Sequence, residues 1–280
     1  MLIDLHTHSR VSDGTQTPTD LVASAAQAQL DVVGLTDHDT TDGWAEATQA
    51  ASGTGVAVVL GTEVSARTRG ISVHLLSYLQ DPTHPALVAE LERIRTARLT
   101  RARRMVELLA EDYDLSWDDV VAQTQPGTTV GRPHIADALV VAGVVPDRSA
   151  AFARLLVVRS RYYVPHYAPD VFDAIAAVRA AGGVPVLAHP GAEERGRVVP
   201  DDTIEAMAAA GLAGLEVHHR DNPPAQVVRL SALAARLGLL TTGSSDYHGA
   251  GKPNRMGENV TDPAVFDAIE AQGVTAVVRS

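Results

Sequence analysis

Two histidines lie one residue apart near the start of the chain, in the stretch DLHTHS at the end of a short apolar run. Successive side chains of a β-strand point to opposite faces, so His6 and His8 project from the same face and lie close enough to bind one ion. Imidazole is the commonest metal-binding side chain in proteins. A surface location after a short strand is the alternative for this pair, and the rest of the sequence must decide between the two.

Polar residues of the same kind accompany the other β-prone runs of the chain. Seven runs have strand character: 2–8, 31–39, 55–65, 71–78, 183–190, 211–219 and 238–248. The side chains at or near their ends are His6, His8, Asp37, His38, Asp39, Glu63, His74, His189, Glu216, His218, His219, Asp246 and His248. In a β/α barrel the carboxyl ends of the strands meet at one mouth, where active sites are built. We therefore expect these side chains to meet, with His6 and His8 as metal ligands.

Most of these runs alternate with amphipathic helical patterns, which is typical of a parallel sheet covered on both faces. Seven strands favour a closed or nearly closed barrel over an open sheet. The alternation stops at 82–166, where the pattern is helical and begins with one long charged amphipathic helix. The sequence thus predicts an α/β barrel domain of residues 1–81 and 167–280, with an inserted helical subdomain at 82–166 over the mouth.

The amino-acid composition restricts which metals and which binding partners the protein can have. The 280 residues include no cysteine, so a metal must be held by nitrogen and oxygen atoms, which suits Mn, Fe, Zn or Mg. The formal net charge of -11 argues against binding of long duplex nucleic acid, which requires many cations against phosphates. No apolar run approaches the roughly 20 residues that cross a bilayer, and the start has no basic and then apolar leader. We expect a cytoplasmic protein without a membrane or an obligate protein partner.

Taken in order, seven stretches resemble the PHP (polymerase and histidinol phosphatase) family, and within it the stand-alone phosphoesterases of the nucleoside 3',5'-bisphosphate phosphatase type. The stretches are DLHTHSRVSDGT, GLTDHDT, GTEVSA, VHLLSY, GRPHIA, VLAHPG and SSDYHG. The resemblance extends from residue 1 to about residue 260. It implies a distorted seven-stranded β/α (TIM-like) barrel with two or three divalent metal ions at its mouth, the ions being Mn, Fe or Zn, with Mg also compatible.

The resemblance also implies a ligand set for each ion. The first ion would be held by His6, His8, Glu63 and Asp246. The second would be held by Glu63 as a bridge, His74 and His189. The third would be held by Asp13, His38 and His248.

Closely spaced divalent ions neutralise phosphate oxygens and lower the pKa of a bound water. The implied reaction is therefore hydrolysis of a phosphomonoester by a metal-activated hydroxide. Asp246 is also a candidate to orient that hydroxide. His218 or His219 is a candidate to protonate the leaving oxygen, because imidazole titrates near neutral pH.

Outside the ligand set, the segment GRPHIA offers Arg132 and His134 as substrate-binding residues if the insertion covers the mouth. Asp37 and Asp39 are expected to orient ligand histidines as hydrogen-bond acceptors. Four loop cations follow the strands: Arg195, Arg197, Lys252 and Arg255. Contact with a second phosphate or a base is one interpretation of them, and solvated loop charge is the favoured one.

The sequence therefore predicts a metal-dependent phosphatase that acts on a small phosphorylated nucleotide, of the nucleoside 3',5'-bisphosphate or mononucleotide type. One alternative is a 5'-3' exoribonuclease acting on short 5'-phosphorylated RNA ends. Another is an amidohydrolase, but many of those bridge their metals with a carboxylated strand-end lysine, and the only lysine, Lys252, lies beyond the last ligand pair. A non-catalytic, metal-stabilised PHP module is a third.

Overall fold

The computed structural model describes residues 1–279 and places seven strands side by side in chain order within one sheet. The strands are β1 (Ile3–Thr7), β2 (Val32–Leu35), β3 (Ala57–Thr68), β4 (Ile71–Tyr78), β5 (Val184–Leu187), β6 (Gly214–His218) and β7 (Leu240–Gly243). Thr7 forms a parallel bridge with Tyr247, just beyond β7, and the His8 backbone N–H donates to the Tyr247 carbonyl at 2.8 Å. The first and last strands therefore meet, which confirms a nearly closed, distorted barrel.

Ten α-helices are described around and above the sheet. They are α1 (Pro18–Gln27), α2 (Trp44–Ala51), α3 (Pro85–Leu109), α4 (Trp117–Val121), α5 (Arg132–Val141), α6 (Arg148–Arg154), α7 (Val171–Ala180), α8 (Asp201–Ala209), α9 (Pro224–Leu237) and α10 (Pro263–Glu270). Side-chain caps fix several starts: Thr17, Asp170 and Asp262 each accept a backbone N–H from the first turn that follows. No helix of the described residues combines the length and the apolar character that crossing a membrane requires.

One strand departs from the predicted parallel order. β4 runs antiparallel to both β3 and β5. Arg69 and Gly70 join β3 to β4 in a two-residue turn, and both have positive φ (49° and 74°), the conformation that matches the twist of a tight hairpin. The expectation of a fully parallel sheet was wrong here. As a consequence, His74 reaches the barrel mouth from the middle of an antiparallel strand and not from a carboxyl end.

The hydrophobic side chains form separate cores in the barrel and in the insertion. Around the barrel, Leu75 and Leu187 of the sheet pack against buried residues of α7, α8 and α9. The insertion has its own cluster, built from Met105, Leu109, Leu115, Val120, Ile135, Leu139, Leu155 and Leu156 among others. The first half of α3 packs into the barrel cluster through Leu87, Leu91 and Ile94, whereas its second half belongs to the insertion. This helix therefore joins the two cores, and the predicted boundaries at 82 and 166 stay a prediction.

Contacts between the insertion and the barrel concentrate on the loops that follow β1 and β2. The Thr129 N–H donates to the Val11 carbonyl at 2.9 Å, and Arg148 Nη1 donates to the Asp13 carbonyl at 3.2 Å. Arg98 of α3 forms an ion pair with Asp39 at 2.7 Å. The helices thus lie against the mouth of the barrel, where the predicted site residues are found.

Candidate metal centre

The two histidines of β1 meet a glutamate from β3 and an aspartate from the loop after β7. The Nε2 atoms of His6 and His8 lie 3.0 Å apart. Glu63 Oε2 lies 3.4 and 3.2 Å from them, and Asp246 Oδ1 lies 3.5 and 3.4 Å from them. Ligand atoms bonded at about 2.1 Å to a tetrahedral ion are about 3.4 Å apart. The four donors therefore surround one point at the spacing that a single ion requires.

Glu63 faces histidines with both of its carboxylate oxygens. Oε1 lies 2.8 Å from His74 Nδ1 and 3.2 Å from His189 Nε2. Oε2, which already faces the β1 histidines, lies 3.1 Å from His38 Nδ1. A carboxylate placed in this way can reach two ions at once, as the predicted bridging role requires.

A third group of donors gathers around Asp13. His248 Nε2 lies 3.1 Å from Asp13 Oδ1, His38 Nε2 lies 3.7 Å from Oδ2, and His8 Nδ1 lies 3.8 Å from Oδ1. The structure thus brings all nine predicted ligands together. It also places His38 between two groups, since one ring nitrogen faces Glu63 and the other faces Asp13, a position that the sequence prediction did not include.

The protonation of His248 tests whether a cation fits this cluster. Its Nδ1 lies 2.8 Å from the Asp246 backbone carbonyl, which can only accept, so Nδ1 carries the proton. Burial, followed by the charge of Lys252, lowers the pKa of His248 to about 4. Nε2 is therefore unprotonated at neutral pH, yet it faces a carboxylate oxygen and has no hydrogen-bond partner among the described residues. Two electron pairs directed at each other are repulsive unless a cation lies between them, so the donor set fits a metal ion.

The surrounding charges keep the cluster in the protonation states that bind metals. Burial raises the pKa of the Glu63 carboxyl, but His74, His38 and His6 outweigh it and hold the pKa well below its usual range. Lys252 and the neighbouring histidines do the same for Asp246. Burial, and next Arg195, lower the pKa of His189 to about 3. Ionised carboxylates and neutral imidazoles are the forms that coordinate a metal.

Glu216 of β6 orients two of the ligands, a role that the sequence did not indicate. His6 Nδ1 donates to Glu216 Oε1 at 2.9 Å, and the His189 backbone N–H donates to Oε2 at 2.8 Å. The first bond fixes the ring so that Nε2 faces the metal-binding cluster. Carboxylates that hold ligand histidines in this way raise their basicity and fix their orientation.

The backbone is strained at the site. Asp39, His189 and Asp246 have φ values of 55°, 31° and 54°, and they make up half of the six non-glycine residues with positive φ in the described chain. Such conformations cost about 1–3 kcal/mol each and persist where the surroundings fix them, which is frequent at functional sites. For Asp39, Ser65 and Arg98 supply that support.

The two adjacent histidines at the end of β6 have different environments. The His219 side chain is buried, with Nε2 3.6 Å from Asp246 Oδ2. Its Nδ1 accepts the Asp221 backbone N–H at 3.0 Å, so the proton of the neutral ring is on Nε2, the atom that faces the cluster. His218 is exposed and points away. A shift in strand register between Glu216 and His218 accounts for this, since a bulge reverses the face to which later side chains point.

The predicted substrate residues Arg132 and His134 lie inside the insertion. His134 is buried, and its Nδ1 accepts the Gly131 N–H at 3.1 Å, which caps the start of α5. Arg132 Nη1 donates to the Leu156 carbonyl at 3.1 Å, and its guanidinium lies over the rings of Phe152 and Tyr163. Neither side chain forms a hydrogen bond or an ion pair with a ligand residue within the described residues, so their substrate role stays a prediction.

Two loop cations reach the site against expectation. Arg195 Nη2 and Lys252 Nζ lie 2.8 and 2.9 Å from Asp246 Oδ2. The interpretation of these two residues as solvated charges was wrong, whereas Arg255 is 85% exposed and Arg197 is exposed as well. Their positions in the sequence could have indicated this contact. Arg195 follows the ligand His189 in one loop, and Lys252 follows the ligand His248 in another.

Asp37 and Asp39 also differ from expectation. Asp37 accepts hydrogen bonds from Ser9 and Ser12, and Asp39 accepts from Ser65 while pairing with Arg98. Neither accepts a hydrogen bond from a histidine in the part of the chain that the structure describes. The predicted orienting role was wrong for both, and these carboxylates fix the loops that carry the ligands.

A nearly closed barrel with a cluster of His, Asp and Glu side chains at its mouth is typical of a metal-dependent hydrolase. Comparison with known proteins identifies the family of hydrolases. The PHP domain family model matches residues 4–118. A 3',5'-nucleoside bisphosphate phosphatase of Chromobacterium violaceum is 37% identical over 90% of this chain and 89% of its own length. A solved structure from Bifidobacterium adolescentis, assigned as a metal-dependent phosphoesterase, is 49% identical with a TM-score of 0.96, covering 97% of this chain and 96% of the other.

Two further relatives carry different names. A phosphoribosyl 1,2-cyclic phosphate 1,2-diphosphodiesterase of Eggerthella lenta is 34% identical over 89% of this chain and 95% of its own length. A 5'-3' exoribonuclease of Haemophilus influenzae is 35% identical over 67% of this chain and 68% of its own. The chain belongs to the PHP family and is a metal-dependent phosphoesterase.

Proposed function

We propose that this enzyme hydrolyses phosphomonoesters of small nucleotides, with a nucleoside 3',5'-bisphosphate as the leading substrate and inorganic phosphate as a product. The observation that carries the proposal is the cluster of nine metal donors with two cations, Arg195 and Lys252, directly beside it. The similarity to a bisphosphate phosphatase over nine tenths of the chain supports the choice of substrate.

The ligand groups are proposed to be those implied by the sequence. Glu63 bridges the His6, His8 and Asp246 group to the His74 and His189 group. Asp13, His38 and His248 form the third group. Bound divalent ions would neutralise phosphoryl oxygens and make a water acidic enough to ionise near neutral pH.

The protein's own cations then bind the phosphoryl oxygens. Arg195 and Lys252 both contact Asp246 Oδ2, the oxygen that faces away from His6 and His8, so a phosphate held at the cluster lies within their reach. Asp221 pairs with Arg195 at 2.6 Å and holds its guanidinium at the mouth. A planar guanidinium suits this task because it can bind two oxygens at once.

His219 is proposed to stabilise the leaving oxygen by donating a hydrogen bond from Nε2, while the proton that the leaving oxygen finally takes comes from water. Its Nε2 carries the ring proton and is buried without a hydrogen-bond partner in the described residues. Asp246, 3.6 Å away, accepts hydrogen bonds on the same side and is the proposed residue that orients the attacking water. His218 has no part in this proposal, because its side chain is exposed.

A phosphate-release assay on metal-loaded enzyme tests the proposal. Adenosine 3',5'-bisphosphate, adenosine 5'-monophosphate and a short 5'-phosphorylated oligoribonucleotide are compared by their kcat/KM values. We expect the bisphosphate to be the best of the three. A lack of phosphate release from all nucleotides, with Mn²⁺, Fe²⁺ or Zn²⁺ supplied, would contradict the proposal.

The second candidate is the exoribonuclease activity, which similarity to the Haemophilus influenzae protein supports. The formal net charge of -11 disfavours long polyanions but not short ones. Chromatography of the oligoribonucleotide products separates the candidates: an exonuclease releases mononucleotides one after another from the 5' end, whereas a phosphatase leaves the chain length unchanged.

A further inference from the structure

The ligand Asp13 lies on a loop, unlike the ligands of β1 and β3. Residues 8–17, which follow β1, belong to no strand or helix. From the barrel side, Asp37 accepts hydrogen bonds from the hydroxyl groups of Ser9 and Ser12. A metal ligand must be held within a fraction of an ångström, so a ligand on such a loop requires rigid neighbours on its other side as well.

The insertion supplies hydrogen-bond donors to the backbone carbonyls of this loop. Thr128 Oγ1 donates to the Arg10 carbonyl at 3.1 Å. The Thr129 backbone N–H donates to the Val11 carbonyl at 2.9 Å. Both donors precede α5, and a third donor, from α6, reaches the carbonyl of Asp13 itself. The insertion therefore holds the loop along its length and as far as the ligand.

The donor to Asp13 is Arg148, the first residue of α6. Its Nη1 donates to the Asp13 carbonyl at 3.2 Å. Its Nε and Nη2 donate to the two carboxylate oxygens of Asp137, on α5, at 2.5 and 2.6 Å. Two parallel hydrogen bonds of this kind fix the plane of a guanidinium group. Every guanidinium nitrogen of Arg148 thus has an acceptor in the protein, which suits support of Asp13 and not binding of a substrate.

Arg148 also lies against the loop that carries the ligand His248. Gly251 belongs to that loop, and a Cβ atom at its position would lie 2.2 Å from Arg148 Nη1. The two loops are joined directly, since the Thr15 backbone N–H donates to the His248 carbonyl at 3.2 Å. The guanidinium group of Arg148 therefore lies where the loops of Asp13 and His248 meet, and these are two of the three ligands of the third group.

We propose that Arg148, oriented by Asp137, is a positioning residue for the third metal ion. It fixes the Asp13 backbone, so that the Asp13 carboxylate faces His248 and His38. This inference rests on the third ligand group of the proposed function. One contact between the insertion and the barrel then decides whether the third ion is retained.

Titration of the metal-free protein with Mn²⁺, followed by calorimetry and elemental analysis, tests the proposal. The wild-type chain should bind three ions. Arg148→Met should bind one of them about 10- to 100-fold less tightly and the other two as before, the usual cost of removing a group that orients a ligand. Arg154→Met is the matched control, because Arg154 is exposed at the end of the same helix and forms no ion pair within residues 1–279. The control keeps all three affinities.

Two further variants identify the ion and the cause. Asp13→Asn should weaken the same ion, and adding Arg148→Met to it should cause little further loss, because two changes that act through one interaction are not additive. Gly251→Ala keeps the charge of Arg148 but places a methyl group against its Nη1, so it should weaken the same ion.

Hydrogen exchange of the metal-free protein measures the loop itself. The backbone amides of residues 9–16 should exchange about fivefold faster in Arg148→Met than in the wild-type protein, because the loop loses one hydrogen bond. The amides of β1 should exchange at the wild-type rate in both proteins.

Three results would overturn the proposal. The first is a wild-type chain that saturates at two ions. The second is an Arg148→Met protein that keeps all three affinities, and the third is one that loses affinity equally for all ions, which would show a structural role. Circular dichroism verifies folding, and Gly251→Ala decides alone if Arg148→Met fails to fold. The titration uses no substrate, so a lack of phosphate release from nucleotides would contradict the proposed function and leave this test in force.

Discussion

At the barrel mouth, buried carboxylates are surrounded by histidines, whereas in the insertion Arg101 lies buried and Arg132 half-buried, both without a carboxylate partner in the described residues. The pKa of the Glu63 carboxyl is held well below its usual range by His74, His38 and His6, which outweigh its burial. Burial, and next Arg132, lower the pKa of Arg101 to about 9. The first region thus presents carboxylate and imidazole donors that suit a metal cation, whereas Arg101 and Arg132 in the second have no anionic partner in the described residues.

The two regions also differ in how they hold their side chains. The metal donors come from strands and strained loop residues such as His189 and Asp246, fixed by Glu216 and the sheet. The arginines come from helices that pack on a separate core. Metal coordination requires donors placed within a fraction of an ångström, whereas long arginine side chains can adjust to a phosphate. The barrel mouth thus holds its donors in fixed positions, whereas the cations of the insertion can adjust theirs.

The largest effect is expected from Glu63→Gln, which removes the charge that faces both histidine groups. Phosphate release should fall by more than about 10³-fold, with a loss of bound metal, because the transition state loses several kcal/mol of charge stabilisation. Activity assays measure the rate of phosphate release, and elemental analysis measures the bound metal. Glu205→Gln, on an exposed carboxylate that pairs with Arg236, is the control. A Glu63→Gln enzyme with full metal content and normal turnover would remove the basis for the comparison.

The next largest loss of activity is expected from His219→Ala, and His218→Ala is its matched control. The first should lower kcat about 10²-fold for an alkyl phosphate ester, whose leaving oxygen depends on the hydrogen bond from Nε2, and much less for 4-nitrophenyl phosphate, whose leaving group is stable as an anion. His218→Ala should stay within about twofold, since its side chain is exposed. Steady-state kinetics with both esters checks this. Equal losses on the two esters would argue that His219 has a structural role.

Glu216→Gln should have a smaller effect, because the residue holds His6 without belonging to the ligand set. We expect a 10- to 100-fold loss of metal affinity, the usual cost of removing a carboxylate behind a ligand histidine. Metal titration followed by calorimetry measures it. Unchanged affinity would show that the strand alone fixes the orientation of His6.

The smallest effect on the metal centre is expected from Leu139→Ala in the core of the insertion. The side chain is fully buried, so its truncation should lower the free energy of unfolding by about 2–4 kcal/mol. Val141→Ala, at an exposed position of the same helix, should change it by less than about 0.5 kcal/mol. Denaturant titration measures both variants. Metal content should stay unchanged in each, and a loss of metal in Leu139→Ala would mean that the two cores are not separable.

Much of the donor set could be predicted because its spacing is local. His6 and His8 share a strand face at i and i+2, and this follows from strand geometry alone. His218 and His219 could not be separated in this way, since the bulge after Glu216 changes the face. His74 was expected at a carboxyl end and instead lies within an antiparallel strand, because a two-residue turn reverses the chain at Arg69 and Gly70.

The amino-acid sequence by itself determined which atoms are available to bind a metal, namely nitrogen and oxygen donors near the ends of seven strands, because composition and strand periodicity are properties of the local chain. The tertiary structure alone decided which of these donors share an ion, that Arg195 and Lys252 reach Asp246, and that Arg98, Arg101 and Arg132 meet beside the mouth. Those outcomes depend on loops and helices that are distant in sequence, and only the closure of the barrel and the packing of the insertion bring them together.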